Sequence, residues 1–473
     1  MRGFGRSRSA FRSRAISRFV STHPFHPHLP PLASPHMPPP PHLTPAQLAK
    51  QAERKAAKLA RKLDTKAAPE DTRRRTLERR WISVAVPSAG ARTARVVSWN
   101  MLAQTLVRRE LFPGSDCLRW SDRKAMLQAE MAKHASADVI CLQECDRLGD
   151  MRGAVPGHAA VEARGEGKLH GLVVLYATAR WRVRASRAVA LDMEHLNPGE
   201  GAAARGGSRA TRNMGLIVAL ESEEGEGIVV ATTHLFWHPK FEYERTRQII
   251  VLLRAMRAMQ ADEDIEAWPA LLAGDLNTQP AEAAYQILAA PGAPLDPALA
   301  ASLNFSRLVH TSVAKIEASA PPSEMPSGAV TPAEKDDEGE LPDTDERSIA
   351  GTRAPTAADG IATLDELLEM ARDVLPAPAR SAYGASQWAG ETYAARGGFN
   401  HASGAGGNEP AYTCYTPLFK LTLDYIFALP GKEVTFTQLL EPPKVAELGE
   451  GLPRKNISAS DHLPVACEIA WTP

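Results

Sequence analysis

The segment that most constrains the fold is residues 269–280, PALLAGDLNTQP. A short apolar run ends at Gly274, and Pro280 prevents a strand from continuing beyond Asp275 and Asn277. An apolar run bounded by Gly and Pro in this way is typical of a buried strand in a parallel or mixed sheet. Since side chains alternate across a strand, we expect Asp275 and Asn277 to share one side, where they could orient a water and bond a phosphoryl oxygen. Considered alone the segment favours a turn, because these residue types are common in turns; the rest of the chain favours the strand.

Charge is unevenly distributed along the chain. Of the 473 residues, 44% are hydrophobic and 23% are charged, which is enough for at least one large core. Residues 1–80 carry 18 Lys and Arg against 5 Asp and Glu, and because the whole chain carries 55 of each, residues 81–473 carry 37 against 50. A basic arm on an acidic body is typical of a targeting element or of a contact with nucleic acid or a ribosomal surface.

Two N-terminal segments are expected to lie outside the folded domain. Residues 1–43 begin with Arg interleaved with Ser and apolar residues, have no acid, and continue as a Pro- and His-rich linker. This composition is typical of a mitochondrial presequence and equally of a disordered Arg/Ser tail. If the segment is not a presequence, the expected location is nuclear or cytoplasmic. Residues 44–80 are expected to form a basic helical arm that begins at Thr44 and Pro45 and is either solvated or in contact with RNA.

Residues 81–473 are expected to form one domain, interrupted by a disordered, low-complexity acidic insertion at about 314–378 that contains a short helix. Strands alternate with helices along this domain, which indicates an α/β fold with sheet packed on sheet inside and helices outside. We expect strands at 94–99, 138–142, 171–176, 214–220, 228–233, 270–273 and 463–471, and helices at 119–134, with Ser121 as N-cap, at 241–259 and, inside the insertion, at 363–374.

The cysteines are sparse and contain no CxxC pair. Their spacing predicts neither a zinc site nor a disulfide framework, so we expect buried thiols in a reducing compartment. No apolar run approaches the roughly 18 residues of a membrane-spanning helix, so no span is predicted. The cysteines are Cys117, Cys141, Cys145, Cys414 and Cys467.

Six polar clusters follow apolar runs with the character of strands. Individually each has a structural explanation, such as a turn cap for Asn100, a solvated carboxylate for Glu144, a core imidazole for His234 and an N-cap for Asp461. Together they provide what phosphodiester hydrolysis needs: oxygen ligands for Mg²⁺, a carboxylate that orients water, and two imidazoles that meet phosphate charge. The clusters are Trp99-Asn100, Gln143-Glu144, Thr233-His234, Asp275 with Asn277, Asp424-Tyr425 and Asp461-His462.

These clusters resemble the signature blocks of a known family. The blocks WNMLAQ, ICLQE, THLFW, AGDLN, LDYIF and SDHLP occur in the order found in the endonuclease/exonuclease/phosphatase superfamily. The resemblance covers about residues 95–471 and is most marked with the deadenylase-like branch, which includes nocturnin, the carbon-catabolite-repressor deadenylases and the fungal Ngl-type RNA exonucleases. The blocks THLFWHP, PAYTCYTPLFKLTLDYIF and RSAYG are most similar to the Ngl type. The resemblance implies the DNase I-like fold, a four-layer α/β sandwich of two packed mixed β-sheets flanked by helices.

The resemblance also implies a role for each polar residue. Glu144 would be the principal Mg²⁺ ligand, with Mn²⁺ as a substitute ion, and Asn100 would help to hold the metal or its waters. Asp275 would orient or deprotonate the attacking water, and Asn277 would steady the pentacovalent phosphorus. His462 would contact the scissile phosphate.

The remaining polar residues would complete the phosphate-facing rim. Asp461 would polarise an imidazole, either that of His462 or that of His234, and His234 and Asp424 would lie beside it. A dianionic transition state requires a divalent cation and donors that are fixed in place, whatever the family.

A further set of residues would hold the base of the substrate. In the deadenylases the base is pinned by residues that match Asn213, Pro239 and Phe419, and we add Lys420 as a substrate-binding residue. Phe419 suits either stacking on an unpaired base or packing in the core within LFKLTL.

We therefore expect a Mg²⁺-dependent 3′→5′ exoribonuclease that hydrolyses single-stranded RNA, such as poly(A) tails or ribosomal RNA 3′ ends, to 5′-mononucleotides. Leu421 and His238 stand where the deadenylases usually carry Gly and Asp, which argues against a strict preference for poly(A). One alternative is a phosphatase of the same superfamily acting on a small phosphorylated molecule, such as a nicotinamide dinucleotide phosphate or an inositol lipid. Another is a non-catalytic scaffold that docks through the basic arm.

Overall fold

Two mixed β-sheets form the centre of the protein, in a computed structural model that describes residues 55, 75–318, 350–388, 398–399 and 408–473. The strands and α-helices lie in the unit formed by residues 68–473. In chain order the strands are β1 (Trp81–Ser83), β2 (Arg92–Asn100), β3 (Val139–Cys145), β4 (His158–Ala163), β5 (Gly171–Ala177), β6 (Arg182–Ala190), β7 (Met214–Glu221), β8 (Gly227–His234), β9 (Ala270–Asp275), β10 (Val309–His310), β11 (Thr352–Arg353), β12 (Arg380–Ser381), β13 (Gly398–Phe399), β14 (Glu409–Pro410), β15 (Cys414–Tyr415), β16 (Lys420–Leu421), β17 (Asp424–Ala428), β18 (Thr435–Leu440) and β19 (Val465–Trp471). The α-helices are α1 (Trp120–Lys133), α2 (Leu148–Met151), α3 (Gly201–Arg205), α4 (Glu242–Asp262), α5 (Ala283–Ala289), α6 (Pro297–Phe305), α7 (Val313–Ala318), α8 (Leu364–Val374) and α9 (Val445–Leu448).

The first sheet has seven strands in the order β1-β18-β19-β2-β3-β5-β4, and the second has six in the order β12-β17-β9-β8-β7-β6. Both are mixed, because β2 pairs with β3 and β8 pairs with β9 in parallel while their other neighbours are antiparallel. A buried apolar cluster that includes Val96 and Val174 of the first sheet and Val218 and Leu271 of the second fills the space between them. Strands β3 and β9 are buried along their whole length, as their continuous apolar runs predict.

Helices cover the outer face of each sheet. On the second sheet, Ile250 and Leu253 of α4 and Leu367 of α8 belong to the same buried cluster as Leu272 of β9. On the first sheet, α1 packs against β3 in a separate cluster. The layers therefore run helix, sheet, sheet, helix, which confirms the predicted four-layer α/β sandwich. Every strand and helix predicted within residues 81–473 is present, with ends shifted by at most three residues.

The strand ends place the polar clusters at one edge of the sandwich. In the first sheet the parallel pairing of β2 and β3 brings Asn100 opposite Gln143. In the second sheet Asp275 lies between His234 of β8 and Asp424 of β17 in register. The parallel strands run into this edge with their carboxyl ends, which is where sites form in α/β proteins.

The predicted limits of the two flanking segments need correction. Residues 75–80, expected to end the basic helical arm, are not helical, and Arg79 instead donates to the backbone carbonyls of Glu441 and Pro464. Residues 350–378, expected to belong to the disordered insertion, are ordered, since α8 buries Leu367 in the core. The remaining residues of both segments, and residues 1–43, lie outside the described residues, apart from Lys55 and the short helix α7.

Three smaller expectations concern a helix end, membrane spans and the cysteines. Helix α1 begins at Trp120 with Arg119 as its N-cap, so Ser121 lies inside the helix and is not the predicted cap. Among the described residues, no helix is long and apolar enough to cross a bilayer. All five cysteines are free and buried, as predicted.

Candidate active site

Asn100 lies at the centre of the candidate site, where the two sheets meet. It is 1% exposed, and its side-chain amide donates to Glu144 Oε1 (2.9 Å) and to Asp275 Oδ2 (3.0 Å). Its Oδ1 accepts the backbone N–H of Leu102 at 3.0 Å. One amide therefore joins a carboxylate of the first sheet to a carboxylate of the second, and both acids are held by a donor that they share.

Glu144 is directed towards this edge by an irregularity in its strand. The register of β3 against β5 shifts between Leu142 and Cys145, and Glu144 has a positive φ of 53°. A bulge redirects side chains, and a left-handed conformation costs a non-glycine residue about 1–3 kcal/mol. Glu144 is nevertheless buried, with its Oε2 accepting the N–H of Ala103 at 2.9 Å. The solvated carboxylate considered from the sequence is therefore excluded.

Two imidazoles face the same oxygen of Asp275. His234 Nε2 lies 3.6 Å from Asp275 Oδ2, and His462 Nε2 lies 3.7 Å from it. His234 Nδ1 is also 4.0 Å from Glu144 Oε1. We call Glu144, Asp275, Asp424 and Asp461, together with His234 and His462, the acid cluster.

Asp424 fixes the ring of His462. Its Oδ2 lies 2.8 Å from His462 Nδ1, and its backbone N–H donates to Thr413 Oγ1 at 3.0 Å. Burial alone would lower the pKa of His462, but the carboxylates of Asp424 and Asp275 outweigh it and raise the pKa well above its ordinary value. The imidazole is therefore protonated at neutral pH, with Nδ1 directed to Asp424 and Nε2 towards Asp275.

The predicted partnership between Asp461 and an imidazole needs correction. The carboxylate that bonds His462 is that of Asp424, and the carboxylates nearest to His234 are those of Asp275 and Glu144. The carboxylate of Asp461 lies within 4.8 Å of a ring nitrogen of His462, but the hydrogen bond it accepts comes from Ser460 Oγ at 3.3 Å. Burial raises the pKa of Asp461 to about 6.

Asn277 makes a turn and does not share a strand face with Asp275. Strand β9 ends at Asp275, Asn277 has a φ of 47°, and its N–H donates to Asp275 Oδ1 at 3.0 Å. Its side-chain amide donates to the carbonyl of Leu235 at 2.9 Å. The segment 269–280 thus contains both a strand and the turn that follows it, and the turn orients the carboxylate of Asp275.

A cleft opens beside Glu144 and His234. It contains Asn213, predicted from the family resemblance, but also Lys168, His170 and Arg212, which the sequence analysis missed. Lys168 Nζ donates to Asn213 Oδ1 at 2.8 Å. Two cationic side chains therefore border the cleft.

The position of Lys168 and His170 in the sequence would locate this cleft only if the strand pairing were known. Lys168 and His170 immediately precede β5, and the antiparallel pairing of β5 with β3 sets Gly171 opposite Cys145. A residue just before β5 must therefore lie near Glu144, once β3 and β5 are known to be neighbours. Nothing in the spacing of the two strands along the chain indicates that they are neighbours.

The other base-holding residues lie on two loops. Pro239 is exposed, and its carbonyl accepts Arg245 Nη2 at 3.0 Å, which anchors its loop to α4. Phe419 is half-buried, its backbone is closed into a turn by Thr416, and it belongs to none of the apolar clusters of the described residues. The core-packing alternative is therefore excluded for Phe419. Lys420 Nζ lies 4.9 Å from the centre of the Tyr415 ring.

Arg123 of α1 is a further residue that was not predicted from the sequence. Its guanidinium is 0% exposed and donates to the carbonyls of Met101, Leu102 and Ala459. It therefore ties the loop that follows Asn100 to the segment that precedes Asp461. An arginine within a helix gives no sequence signal for such a role.

The donor set fits a divalent cation that prefers oxygen. Asp275, Asp424 and His462 place potential ligand atoms within 4.8 Å of one another. Within the described part of the chain, Asp424 Oδ1 is buried without a hydrogen-bond partner, which is costly unless a bound group satisfies it. Glu144 and Asn100, the predicted ligands, offer a carboxylate and a carbonyl oxygen, the ligand types of Mg²⁺ and Mn²⁺.

Comparison with known proteins identifies the family to which this chain belongs. The profile of the Endonuclease/Exonuclease/phosphatase family matches residues 97–462, more than half of the chain. A probable RNA exonuclease of Schizosaccharomyces pombe is 30% identical over 274 residues, which is 53% of this chain and 51% of the relative. The RNA exonuclease NGL2 of Saccharomyces cerevisiae is 31% identical over 278 residues, 52% of each chain. The matches thus span about half the length of these relatives.

Among solved structures, the fold is similar to that of ANGEL2, described as a 2′,3′-cyclic phosphatase in complex with adenosine-2′,3′-vanadate. The TM-score is 0.52 at 19% identity, with 84% of this chain and 100% of the other covered. At this identity the likeness shows the shared fold.

Proposed function

This chain belongs to the endonuclease/exonuclease/phosphatase family, and on that premise we propose that it is a Mg²⁺-dependent exoribonuclease that degrades single-stranded RNA in the 3′→5′ direction to 5′-mononucleotides. The observation that carries the proposal is the shared amide of Asn100, which holds Glu144 and Asp275 together within reach of two imidazoles. The names of the two fungal relatives support RNA as the substrate.

Asp275, His462 and His234 have different roles in the proposed reaction. Asp275 Oδ2 has the position to accept a proton from a water, because its other oxygen is held by the turn at Asn277. General-base assistance of this kind contributes about 10²–10⁴-fold to a rate. His462, kept protonated by Asp424, has its Nε2 free of that contact and able to donate to a non-bridging phosphate oxygen. His234 lies on the opposite side of Asp275 and can donate to a second oxygen.

Members of this family generally use divalent metal ions, and Glu144 with Asn100 would hold one here. When bound, the cation supplies charge that stabilises the dianionic transition state. Asn100 donates a hydrogen bond to each of the two carboxylates, Glu144 and Asp275, and so reduces the repulsion between them.

The cleft beside Glu144 supports the alternative function. Lys168 and Arg212 border this cleft, and two cations beside the acid cluster would suit a small molecule with a second phosphate, such as a nicotinamide dinucleotide phosphate. In the RNA reaction the same cations would meet the phosphate that follows the terminal nucleotide.

The decisive experiment is a substrate panel with the full chain. The substrates are 5′-labelled single-stranded RNA with a free 3′ hydroxyl, the same RNA blocked by a 3′ phosphate, single-stranded DNA of the same sequence, and a nicotinamide dinucleotide phosphate. Each is tested with Mg²⁺, with Mn²⁺ and with a chelator, and Asp275→Asn serves as the inactive control.

We expect a ladder of products that shortens from the 3′ end of unblocked RNA, 5′-mononucleotide release, and no reaction with the chelator. Phosphate release from the dinucleotide with intact RNA would establish the alternative. A ladder that persists in the chelator or in Asp275→Asn would contradict the proposed site.

A further inference from the structure

The backbone places Cys414 directly beside His462. Cys414 and His462 form an antiparallel bridge. On either side of it, the N–H of Tyr415 donates to the carbonyl of Asp461 (2.8 Å), and the N–H of Leu463 donates to the carbonyl of Thr413 (2.7 Å). These bonds fix the position of the thiol relative to the acid cluster, although Cys414 plays no part in the reaction described above.

Three different kinds of ligand atom meet at this point. The sulfur of Cys414, a carboxylate oxygen of Asp461 and a ring nitrogen of His462 lie within 4.8 Å of one another. The three residues are 2%, 8% and 6% exposed. In tetrahedral zinc sites the ligand atoms are about 3.3–3.8 Å apart, which follows from metal–ligand distances of about 2.0–2.3 Å. Small side-chain adjustments would therefore produce that geometry.

The ligand types of Cys414, Asp461 and His462 favour Zn²⁺ over the Mg²⁺ of the proposed reaction. Mg²⁺ takes oxygen ligands, whereas Zn²⁺ binds sulfur, nitrogen and oxygen together. Three protein ligands and one open position are the usual arrangement of an accessible zinc site. The unpartnered Asp424 Oδ1 lies on the residue that holds His462, so this end of the acid cluster also has an unsatisfied acceptor.

We propose that Cys414, Asp461 and His462 form a second metal site, which binds Zn²⁺ and inhibits the enzyme. Zinc would take a ring nitrogen of His462 and would therefore compete with the contacts that this ring makes to Asp424 and to the substrate phosphate. The binding step stands on the trio alone, and only the inhibition rests on the proposed exoribonuclease function.

The proton balance of the binding step is simple. Burial raises the pKa of the Cys414 thiol to about 12, so the thiol is protonated at neutral pH when no metal is bound. As the sulfur–zinc bond forms, the S–H bond of Cys414 breaks, and as the nitrogen–zinc bond forms, the imidazolium of His462 loses one N–H proton; both protons leave to the buffer. No electron is transferred, and a chelator reverses the step.

The test measures binding and inhibition separately on the full, reduced chain. Zn²⁺ binding is measured by competition with a chromophoric chelator, and Co²⁺ is used as a spectroscopic substitute because thiolate-bound Co²⁺ absorbs in the near ultraviolet. The variants are Cys414→Ser and Cys414→Ala, and Cys117→Ser is the matched control, because Cys117 is also buried with a pKa raised to about 12. Thermal unfolding of each variant checks that it is folded.

We expect the wild type and Cys117→Ser to bind one Zn²⁺ at this site and to show the thiolate–cobalt band. Both Cys414 variants should lose the band and bind Zn²⁺ on the order of 100-fold more weakly, as expected when a metal site is damaged. With millimolar Mg²⁺, micromolar Zn²⁺ should inhibit the wild type reversibly and leave the Cys414 variants active.

Each contrary outcome has a distinct meaning. Co²⁺ binding without the thiolate band, or equal Zn²⁺ affinity in wild type and both Cys414 variants, would overturn the site. Inhibition that persists in the Cys414 variants would overturn the link between the site and inhibition. A chain that binds Zn²⁺ through Cys414 but cleaves no RNA would contradict the proposed function and leave the metal site standing.

Discussion

Two buried polar clusters of this protein differ in how their carboxylates are satisfied. The first is the acid cluster at the edge of the sheets. The second, which we call the helix network, consists of Glu244, Arg247 and Gln248 of α4 together with Asp192, Ser208 and Thr211. In the helix network all four oxygens of Glu244 and Asp192 accept at least one hydrogen bond. In the acid cluster, within the described residues, Asp424 Oδ1 accepts none.

The difference indicates what each cluster contributes. Glu244 and Arg247 are both 0% exposed and 3.3 Å apart, and the guanidinium also donates to three backbone carbonyls. A buried network satisfied in this way positions the backbone around it. Carboxylates held close together with an unsatisfied oxygen are a cost to the folded state, and such groups are found where a ligand or a reaction uses them. We therefore expect changes in the acid cluster to affect activity and changes in the helix network to affect stability.

The largest expected effect is on the activity of Asp275→Asn. Removing the proton acceptor should lower kcat by on the order of 1,000-fold, while stability changes by less than about 1 kcal/mol, because the isosteric amide relieves repulsion within the cluster. The rate is measured on 5′-labelled RNA, and stability by urea unfolding. Asp192→Asn is the matched control from the helix network and should keep kcat within about 10-fold. If Asp192→Asn lost as much activity as Asp275→Asn, the contrast between the clusters would be wrong.

The next effect is on the stability of Arg247→Met. The variant leaves Glu244 buried without its cation, and breaking a buried pair in this way costs about 3–5 kcal/mol of unfolding free energy. Arg184→Met removes an arginine whose ion pair with Glu263 is half-exposed, and it should cost about 0–1 kcal/mol. Both are measured by urea unfolding. A loss in Arg247→Met no larger than that in Arg184→Met would show that the network does not stabilise the fold.

Asp461→Asn should change how stability depends on pH. The pKa of Asp461 is raised from 3.8 to about 6 by burial, so the folded protein binds this proton more tightly than the unfolded chain. Its contribution to stability is therefore fully present below about pH 4 and is lost as the pH rises through 6. Two pKa units correspond to about 3 kcal/mol.

Wild type should therefore lose about 2–3 kcal/mol relative to Asp461→Asn between pH 4.5 and pH 7.5. The measurement is urea unfolding at both pH values in the presence of a chelator. A stability difference between the two proteins that stays constant with pH would contradict a raised pKa at Asp461.

The smallest expected effect sharpens the comparison, because Thr211 connects the helix network to the cleft beside Glu144. Its Oγ1 donates to Asp192, accepts from Gln248, and accepts the N–H of Asn213, which lines the cleft beside Glu144. Thr211→Val should cost about 1–3 kcal/mol of stability through unsatisfied buried groups. It should also raise KM several-fold, because Asn213 is less well positioned, and change kcat little.

Steady-state kinetics and urea unfolding measure this variant. Thr178→Val, which removes an exposed hydroxyl bonded to Gly157, is the control and should change stability by less than about 0.5 kcal/mol. A fall in kcat at unchanged KM would show that Thr211 acts in catalysis, as the acid cluster does, and would contradict the contrast between the two clusters.

The polar residues of the site were predictable because each follows an apolar strand. The ends of β2, β3, β8 and β9 were marked by Asn100, Glu144, His234 and Asp275, and parallel strands bring their carboxyl ends to one edge. Pairings between distant residues were not predictable in this way. The partner of His462 is Asp424, 38 residues earlier in the chain, and sequence adjacency suggested Asp461 instead.

Elements without a strong apolar pattern were also missed. Strand β6 alternates exposed and half-buried positions at the edge of its sheet, and α5 and α6 are short. Their residues carry little periodic signal, and their structure depends on the surfaces against which they pack. Helix α8 was predicted from its amphipathic pattern, but its sequence surroundings suggested a disordered insertion, whereas Leu367 is buried in the core.

By itself, the sequence determined an α/β fold with sheet packed on sheet and the residue types of the site, because apolar strands that end in Asn, Glu, His and Asp are local patterns, and the family resemblance of its motifs implied the four-layer sandwich. Only the tertiary structure decided which side chains meet: Asn100 between two acids, Asp424 on His462, Lys168 beside Asn213, and Cys414 beside His462. The physical reason is that these contacts depend on strand register, on one bulge and on the packing of two sheets. All three are set by the burial of the whole core and not by any neighbouring stretch of chain.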